Sequence, residues 1–583
     1  LKSICFYISA YLLVFSITAI AEIRFVSKTG TSIPPYTSWA TAADSIQKAI
    51  NICNPGDTVY VGNGVYKEQV TMGDSLALIG SGMDSCIIDI RDDRSIYFAV
   101  VMQKNGHISG FSILLSHYGA NGHGIWSMEA TNYCEIINNK IEAFWTGSTG
   151  IHVSSWSNIL VKNNYFINTT RALILSEQAF QIIENNLFVN CRQGVYAPFP
   201  VKAIIKNNIF MMSGKYESVA VFGSNHDSLF IYNNLCISKT GEAGLGNSNR
   251  PAIINNNLLI GHYSVEAIFL YEPWGTAKNN LLIDCGNGIK VFTGSGEKVK
   301  FNNSWGRGQN YIGFAPDSTN FSIDPMVVND DTANYDFHLQ KYSPMIDAGD
   351  PTILDVDGTR SDIGLYGGPY GESYTYQDLA PRVPKNVTAT INETALKLNW
   401  VQNTEADFAY YRIYRDTIPG FLPDTTKRIA KTNDTTYTEL FKPGRNYYYK
   451  ISATDNQGNE SPKSEEVKLI TGVNDNPVIK TEDYTLFANY PNPFNPSTRI
   501  CYRLNKPGNV SLKVYDIKGS LVKQILNKWH EAGYYEEEFT GEKKQANDYI
   551  ERFASGVYVL VIEIKNENNL PVYSNSRKMM MVK

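Results

Sequence analysis

Short runs in which apolar and polar residues alternate recur along much of the chain, as in GIHVSS (150–155), GVYAPF (194–199) and GIKVFT (288–293). Each run is too short for a helix and fits a β-strand, and the Gly, Asn and Ser residues between runs suit turns. A second kind of run follows, such as AIIKNNIF (203–210), built around a pair of asparagines. The pairs are Asn138-Asn139, Asn163-Asn164, Asn185-Asn186, Asn207-Asn208, Asn233-Asn234, Asn256-Asn257, Asn279-Asn280 and Asn302-Asn303, and their second members are 25, 22, 22, 26, 23, 23 and 23 residues apart. A spacing this regular is a structural period. It predicts one coil of three short strands per period, with coils stacked in parallel because no single coil buries its own apolar face. Equivalent asparagines then meet at one corner. An amide carries both donors and acceptors, so Asn139, Asn164, Asn186, Asn208, Asn234, Asn257, Asn280 and Asn303 are expected to form a ladder. Cys191 and Cys285, each five residues after a pair, belong to one buried column.

This period resembles the repeats of right-handed parallel β-helix proteins, a group that includes secreted polysaccharide lyases and hydrolases. The opening WATAADSIQKAINICNPGDTVYVGNGVYKE (39–68) is similar to theirs, with Ala43 to Ile52 as a capping helix and Thr58 to Val61 as the first strand. SPMIDAGDPTILDVDGTRSDIGLYGG (343–368) is similar to their closing segment. Atypical ends are required because an open stack exposes unpaired strand edges. The resemblance spans 22–371.

The pattern then changes. LKLNW (396–400), AYYRIYRD (409–416) and NYYYKISATDNQGNES (446–461) alternate as sandwich strands. With Trp400, Tyr411 and Tyr449 they resemble a fibronectin type III domain over 382–472, set between linkers at 372–381 and 473–483. Residues 484–583 carry PNPFNP (491–496), Gly519, ASGVY (554–558) and a basic end at Arg577, Lys578 and Lys583. These features are similar to the type A C-terminal sorting domain of type IX secretion, which implies that secretion machinery as a partner and an extracellular or cell-surface address reached through the periplasm. The expected architecture is all-β: a right-handed parallel β-helix followed by two small β-sandwich domains.

Residues 1–21 read as a secretory signal, with an apolar stretch ending in Ala19-Ile20-Ala21. The remaining seven cysteines include no C-x-x-C pair, which argues against a disulfide scaffold or a zinc site. A net charge of -5 over 583 residues gives no bias toward nucleic acid. A monomer is expected.

Candidate chemistry lies on the outward positions of the glycine-led strands. Aligning the glycines gives the column Trp126, His152, Ile174, Tyr196, Ala220, Gly246, Phe269 and Lys290, with Met128, Ser154, Ser176, Pro198, Phe222, Ser248, Tyr271 and Phe292 two residues on. An aromatic outer face on a soluble sheet signals a binding surface or a covering loop. Aromatic rings suit the apolar faces of sugars, and Glu129, Glu177, Arg192, Glu272, Trp274 and Lys290 lie close enough in sequence to serve hydroxyls. Trp126, His152, Tyr196, Phe269, Tyr271 and Trp274 are therefore the candidate polysaccharide-binding residues. A lyase needs a base and a cation at a uronate carboxylate, for which Lys290, His152, Arg171, Arg192 and Tyr196 have suitable chemistry. Glu177 and Glu272 are too many coils apart to act as a hydrolase pair. Asp355, Asp357 and Asp362, near Asp347 and Asp350, are candidate Ca²⁺ ligands or turn caps, and His107, His117 and His123 are expected as surface or packing residues. The expected function is a rigid polysaccharide-binding or adhesive surface protein, with a polysaccharide lyase, and behind it a glycoside hydrolase, as the alternative.

Overall fold

The computed structural model describes residues 21–582 except 94, 116–121, 129–132, 145–146, 155, 177–179, 213–218, 224–227, 239–243, 248–250, 262–265, 272–273, 331–334, 393–394, 441–444, 471–482 and 545–549. Residues 1–20 of the expected signal, and His117, Glu129, Glu177, Ser248 and Glu272, fall outside the described residues. Two compact units divide the chain, Leu1–Thr471 and Gly472–Lys583.

Three parallel sheets form the solenoid. Sheet A has 12 strands, from Ile23–Val26 to Val299–Lys300; sheet B has 11, from Gly64–Tyr66 to Asn303–Trp305; sheet C has 11, from Val70–Thr71 to Gln309–Ile312. Inward residues such as Ile136, Val161, Ile183, Ile205 and Ile231 are fully buried in one continuous core. A helix at Ile46–Ile50, N-capped by Ser45, buries Ile46, Ala49 and Ile50 over the first coil. Thr58–Val61 is not the first strand, because Ile23–Val26 pairs in parallel outside it. That edge is then covered by the following loop, whose Ala43 N–H donates to the Phe25 carbonyl.

The asparagine pairs divide their labour at the corner between sheets A and B. The first member turns the chain in the left-handed region, with φ between 49° and 57° from Asn138 through Asn279. Asparagine tolerates this conformation better than most residues. The second member stacks. Asn164 Nδ2 donates to Asn186 Oδ1 at 3.1 Å and to the carbonyls of Ile136 and Lys162, and Asn164 N–H donates to Asn186 Oδ1 at 2.9 Å. The same pattern runs through Asn139, Asn186, Asn208, Asn234, Asn257 and Asn280. The last rung differs from the expected Asn303. Phe301 takes the left-handed turn at φ 57°, so Asn302 joins the ladder and passes it to Asn320. Asn303 shifts by one position, into register with Leu281, and bonds Ile323 instead. Cys191 and Cys285 are buried with their thiols on backbone carbonyls, and burial pushes the Cys191 thiol up to about 11.

Residues after the last coil fold back as a strap. Val327, Phe337, Leu339, Met345 and Ile363 pack on the outward residues Leu258, Ile260, Leu281 and Ile283 of sheet B. The strap also grips the turning asparagines: Asn233 Nδ2 donates to the Leu365 and Gly367 carbonyls, Asn256 Nδ2 to the Asp362 carbonyl, and Asn279 Oδ1 accepts from Asp350 N–H. In the same unit, a sandwich of three and four antiparallel strands centred on Trp400, Tyr411 and Tyr449 follows; Arg382 at its start pairs with buried Asp324. The second unit is another sandwich of three and four strands, where Phe494 of the PNPFNP motif is buried and its N–H donates to the Met580 carbonyl near the chain end.

Candidate functional site

The outward column of sheet C follows from strand register. Trp126 pairs with His152, His152 with Ile174, Ile174 with Tyr196, Tyr196 with Phe222, Phe222 with Gly246, Gly246 with Phe269 and Phe269 with Lys290. Phe222 replaces the expected Ala220. Ala220 is fully buried and fills the slot of the small inward residue that glycine holds in neighbouring coils, which shifts this strand by two positions.

The rings form two groups. In the first, Phe98 stacks on Trp126 at 4.6 Å between ring centroids and on His123 at 5.1 Å, and His123 stacks on His152 at 5.4 Å. The indole N–H of Trp126 donates to Ser154 Oγ at 2.7 Å, which fixes the ring across the coil boundary. Burial, with His152 and Arg171 adding to it, lowers the His123 pKa to about 4, and burial lowers that of His152. Both imidazoles are therefore neutral aromatic rings at physiological pH. The second group runs Tyr196, Phe222, Phe269, Phe292 and Tyr271, with successive centroid distances of 6.0, 6.2, 6.3 and 4.8 Å. Phe292 is 43% exposed, so the loop at 294–298 does not cover it.

Polar groups flank the rings unevenly. Arg171 is exposed, holds Gln193 Oε1 at 3.0 Å and lies 5.5 Å over the Tyr196 ring. Arg192, next to Gln193 in sequence, is also exposed. Lys290 is bound on two sides, by Glu266 at 2.6 Å and by the Phe292 ring at 4.3 Å. Burial raises the Glu266 pKa, but the hydrogen bond and charge of Lys290 outweigh it and hold the carboxyl below its ordinary value. Lys290 stands four strands from Tyr196, about 19 Å along the axis at about 4.8 Å per strand.

The lyase candidates thus do not converge on one reacting atom. Arg171 and Tyr196 are in contact; His152 sits in the first ring group and Lys290 in a closed ion pair. Trp274 is 50% exposed but lies in the turn between sheets C and A, outside the column. Phe98, His123, Gln193 and Glu266 belong to the face and were not found as such from the sequence. Glu266 and His123 each stand three residues before a column residue, which is the signal that could have found them.

Asp355, Asp357 and Asp362 do not form a Ca²⁺ ligand set. Asp355 accepts from the N–H groups of Asp362 and Gly368, Asp357 turns onto Thr359, and Asp362 accepts from Asp347 N–H and the Tyr376 hydroxyl. Their work is to close turns in the strap. Among the described residues no three His, Cys, Asp or Glu side chains are grouped to hold a metal. His107 makes a surface pair with Glu135 at 3.0 Å.

Comparisons with known proteins follow the same divisions. Residues 107–268 match the family model described as periplasmic copper-binding protein (NosD), 380–470 the fibronectin type III domain, and 488–571 the secretion system C-terminal sorting domain. The chain thus carries a parallel β-solenoid, a fibronectin type III domain and a type IX C-terminal sorting domain, which places it outside the cell or on its surface after passage through the periplasm. The solenoid is consistent with a carbohydrate-active protein. Among the described residues of that stretch none is grouped to hold copper: His123 and His152 face each other as stacked rings, His107 pairs with Glu135, and Cys134, Cys191 and Cys236 are sealed in the core.

Two amylopullulanases are similar over short stretches: that of Thermoanaerobacterium saccharolyticum is 40% identical over 15% of this chain and 7% of its own length, and that of Thermoanaerobacterium thermosulfurigenes 34% identical over 19% and 6%. The chain therefore spans less than a tenth of either relative. Solved structures include latent PorU from Porphyromonas gingivalis, 12% identical over 38% of this chain and 22% of that one at a TM-score of 0.18, and chitinase ChiA74 from Bacillus thuringiensis, 17% identical over 32% and 30% at 0.17. Scores this low bear on neither fold nor function.

Proposed function

We propose that the protein is a surface-displayed polysaccharide-binding module whose contact face is the outer side of sheet C. The observation that supports this reading is the run of half-exposed rings from Tyr196 to Phe292, which offers apolar area to sugar faces while its side chains satisfy no packing need of the core. Arg171, Arg192 and Gln193 at one end supply donors and an acceptor to hydroxyl or carboxylate groups. Binding is favoured over bond cleavage because, among the described residues, His152 and Lys290 stand apart from Arg171 and Tyr196, and Lys290 is already paired with Glu266.

The test uses purified protein with polygalacturonate, as an anionic polymer, and pullulan, included because of the stretch shared with the amylopullulanases. Retention by either polymer, weakened in Tyr196→Ala and Trp126→Ala, with no change in polymer length, is the expected result. Absence of retention by both refutes the reading. Growth of ultraviolet absorbance from unsaturated uronate ends, lost in His152→Ala, would replace it with a lyase, and new reducing ends without that absorbance would indicate a hydrolase.

A further inference from the structure

Column positions on adjacent strands are about 4.8 Å apart, so Phe222 and Phe269, with the Gly246 strand between them, should be separated by roughly 9.6 Å. Their ring centroids lie 6.2 Å apart. The reason is Gly246. A Cβ built on this residue would meet three atoms of the Phe269 ring at 2.0, 2.2 and 2.3 Å, so the ring occupies the space that any side chain at 246 would need. Phe269 leans back over the bare backbone and closes the gap that the missing side chain would otherwise leave. Gly246 has no left-handed φ to explain it, since it is absent from the positive-φ glycines. The requirement is close approach.

We infer that Gly246 is a positioning residue that joins the rings on either side of it into one contact surface, and that this surface is matched to an internal stretch of a linear polysaccharide rather than to a single terminal sugar. The inference rests on the function proposed above and adds the form of the ligand. Tyr196 and Phe222 are stacked, with planes 9° apart and centroids 6.0 Å apart, so across two coils they offer a sugar chain one continuous apolar strip. Past Gly246 the surface continues on Phe269 and turns at Phe292, whose plane is 84° from that of Phe269 and 12° from that of Tyr271. A chain bound along the axis therefore meets a continuous run of rings, with Phe269 leaning over the coil of Gly246, which carries none. With any side chain at 246 the same face would be two shorter platforms, each holding a few sugars.

The test is a double-mutant cycle on the full chain, Gly246→Ala, Phe269→Ala and both together, read as affinity for oligomers of increasing length made from polygalacturonate and from pullulan. The wild-type protein should gain affinity with length past the point where one platform is filled. Gly246→Ala and Phe269→Ala should each remove that gain and weaken binding of the longer oligomers roughly tenfold, while leaving the shortest oligomers nearly unaffected. The double variant should be no weaker than Phe269→Ala, because the added methyl acts only by displacing the ring. If Phe269→Ala binds every oligomer as the wild type does, the sheet C face is not the contact surface, and both readings fall. If Phe269→Ala loses the length dependence and Gly246→Ala keeps it, only the role of Gly246 is overturned. Should Gly246→Ala fail to fold, Phe222→Ala opens the same gap from the other side: loss of the length dependence supports the joined surface and its retention overturns it.

Discussion

The asparagine ladder and the aromatic face are both columns that advance one residue per coil along the same axis, yet they treat their chemistry in opposite ways. Each ladder amide is buried and spends its donors and acceptor within the chain, on the next amide and on backbone carbonyls. The rings of sheet C touch one another in stacked, tilted and edge-on contacts and remain partly exposed to solvent. A column saturated by its own protein holds the fold together, and one left partly unsaturated is available to something else. Identity of residues along the column marks the first kind. Similarity of character with varied residues (Tyr, Phe, Trp and His) marks the second.

The contrast breaks most visibly at the ladder. Asn186→Leu removes the buried acceptor of the Asn164 N–H and Nδ2, the buried bond to the Val161 carbonyl and the half-buried one to the Glu184 carbonyl. It should destabilise the solenoid by about 3 kcal/mol or more, seen as a lower urea midpoint. Tyr196→Ala should leave that midpoint nearly unchanged and weaken polymer binding by about 1–2 kcal/mol. Equal losses of stability in the two variants would remove the distinction.

A smaller effect tests a polar group that is buried but less well served. Burial raises Asp362 from 3.8 to about 6. Its protonated form is favoured in the folded state, so the stability it contributes is fully present below pH 4 and is lost as pH rises through about 6. Asp362→Asn should flatten the stability profile across that window, an effect read as a urea midpoint that no longer falls between about pH 4 and 6. The smallest effect concerns the one ladder turn made without asparagine: Phe301→Asn, which suits φ 57°, should raise the melting temperature slightly, for a gain of about 0.5 kcal/mol.

These same residues show how far the sequence could be read. The ladder was legible because a buried amide with four bonds to satisfy admits almost no substitute, so the residue repeats. It failed at Asn303 because Phe301 takes the turn and the chain then bonds Asn320 only 18 residues later, a step outside the period. The face was legible as a tendency toward aromatic residues. Its register was lost at Ala220, where a small buried side chain does the work glycine does elsewhere, and its continuity depends on how one ring leans over Gly246. The ion pair of Lys290 with Glu266 was hidden because its partners lie on different coils, 24 residues apart.

The strap gives the stack a direction in time as well as in space. Leu258, Ile260, Leu281 and Ile283, together with the turning amides of Asn233, Asn256 and Asn279, find their partners in residues that a ribosome or a secretion pore delivers after the coils themselves. Earlier coils need nothing so distant: Asn138 and Asn185 still face solvent in the finished protein. A chain threaded from its N-terminus can therefore build its first coils as they emerge, whereas the last ones carry an oily, unfinished side until the strap closes over them. Any interruption between Ile283 and Ile363 would leave the outward apolar residues of sheet B uncovered at the end of an otherwise finished stack, an exposed surface of the kind that promotes aggregation.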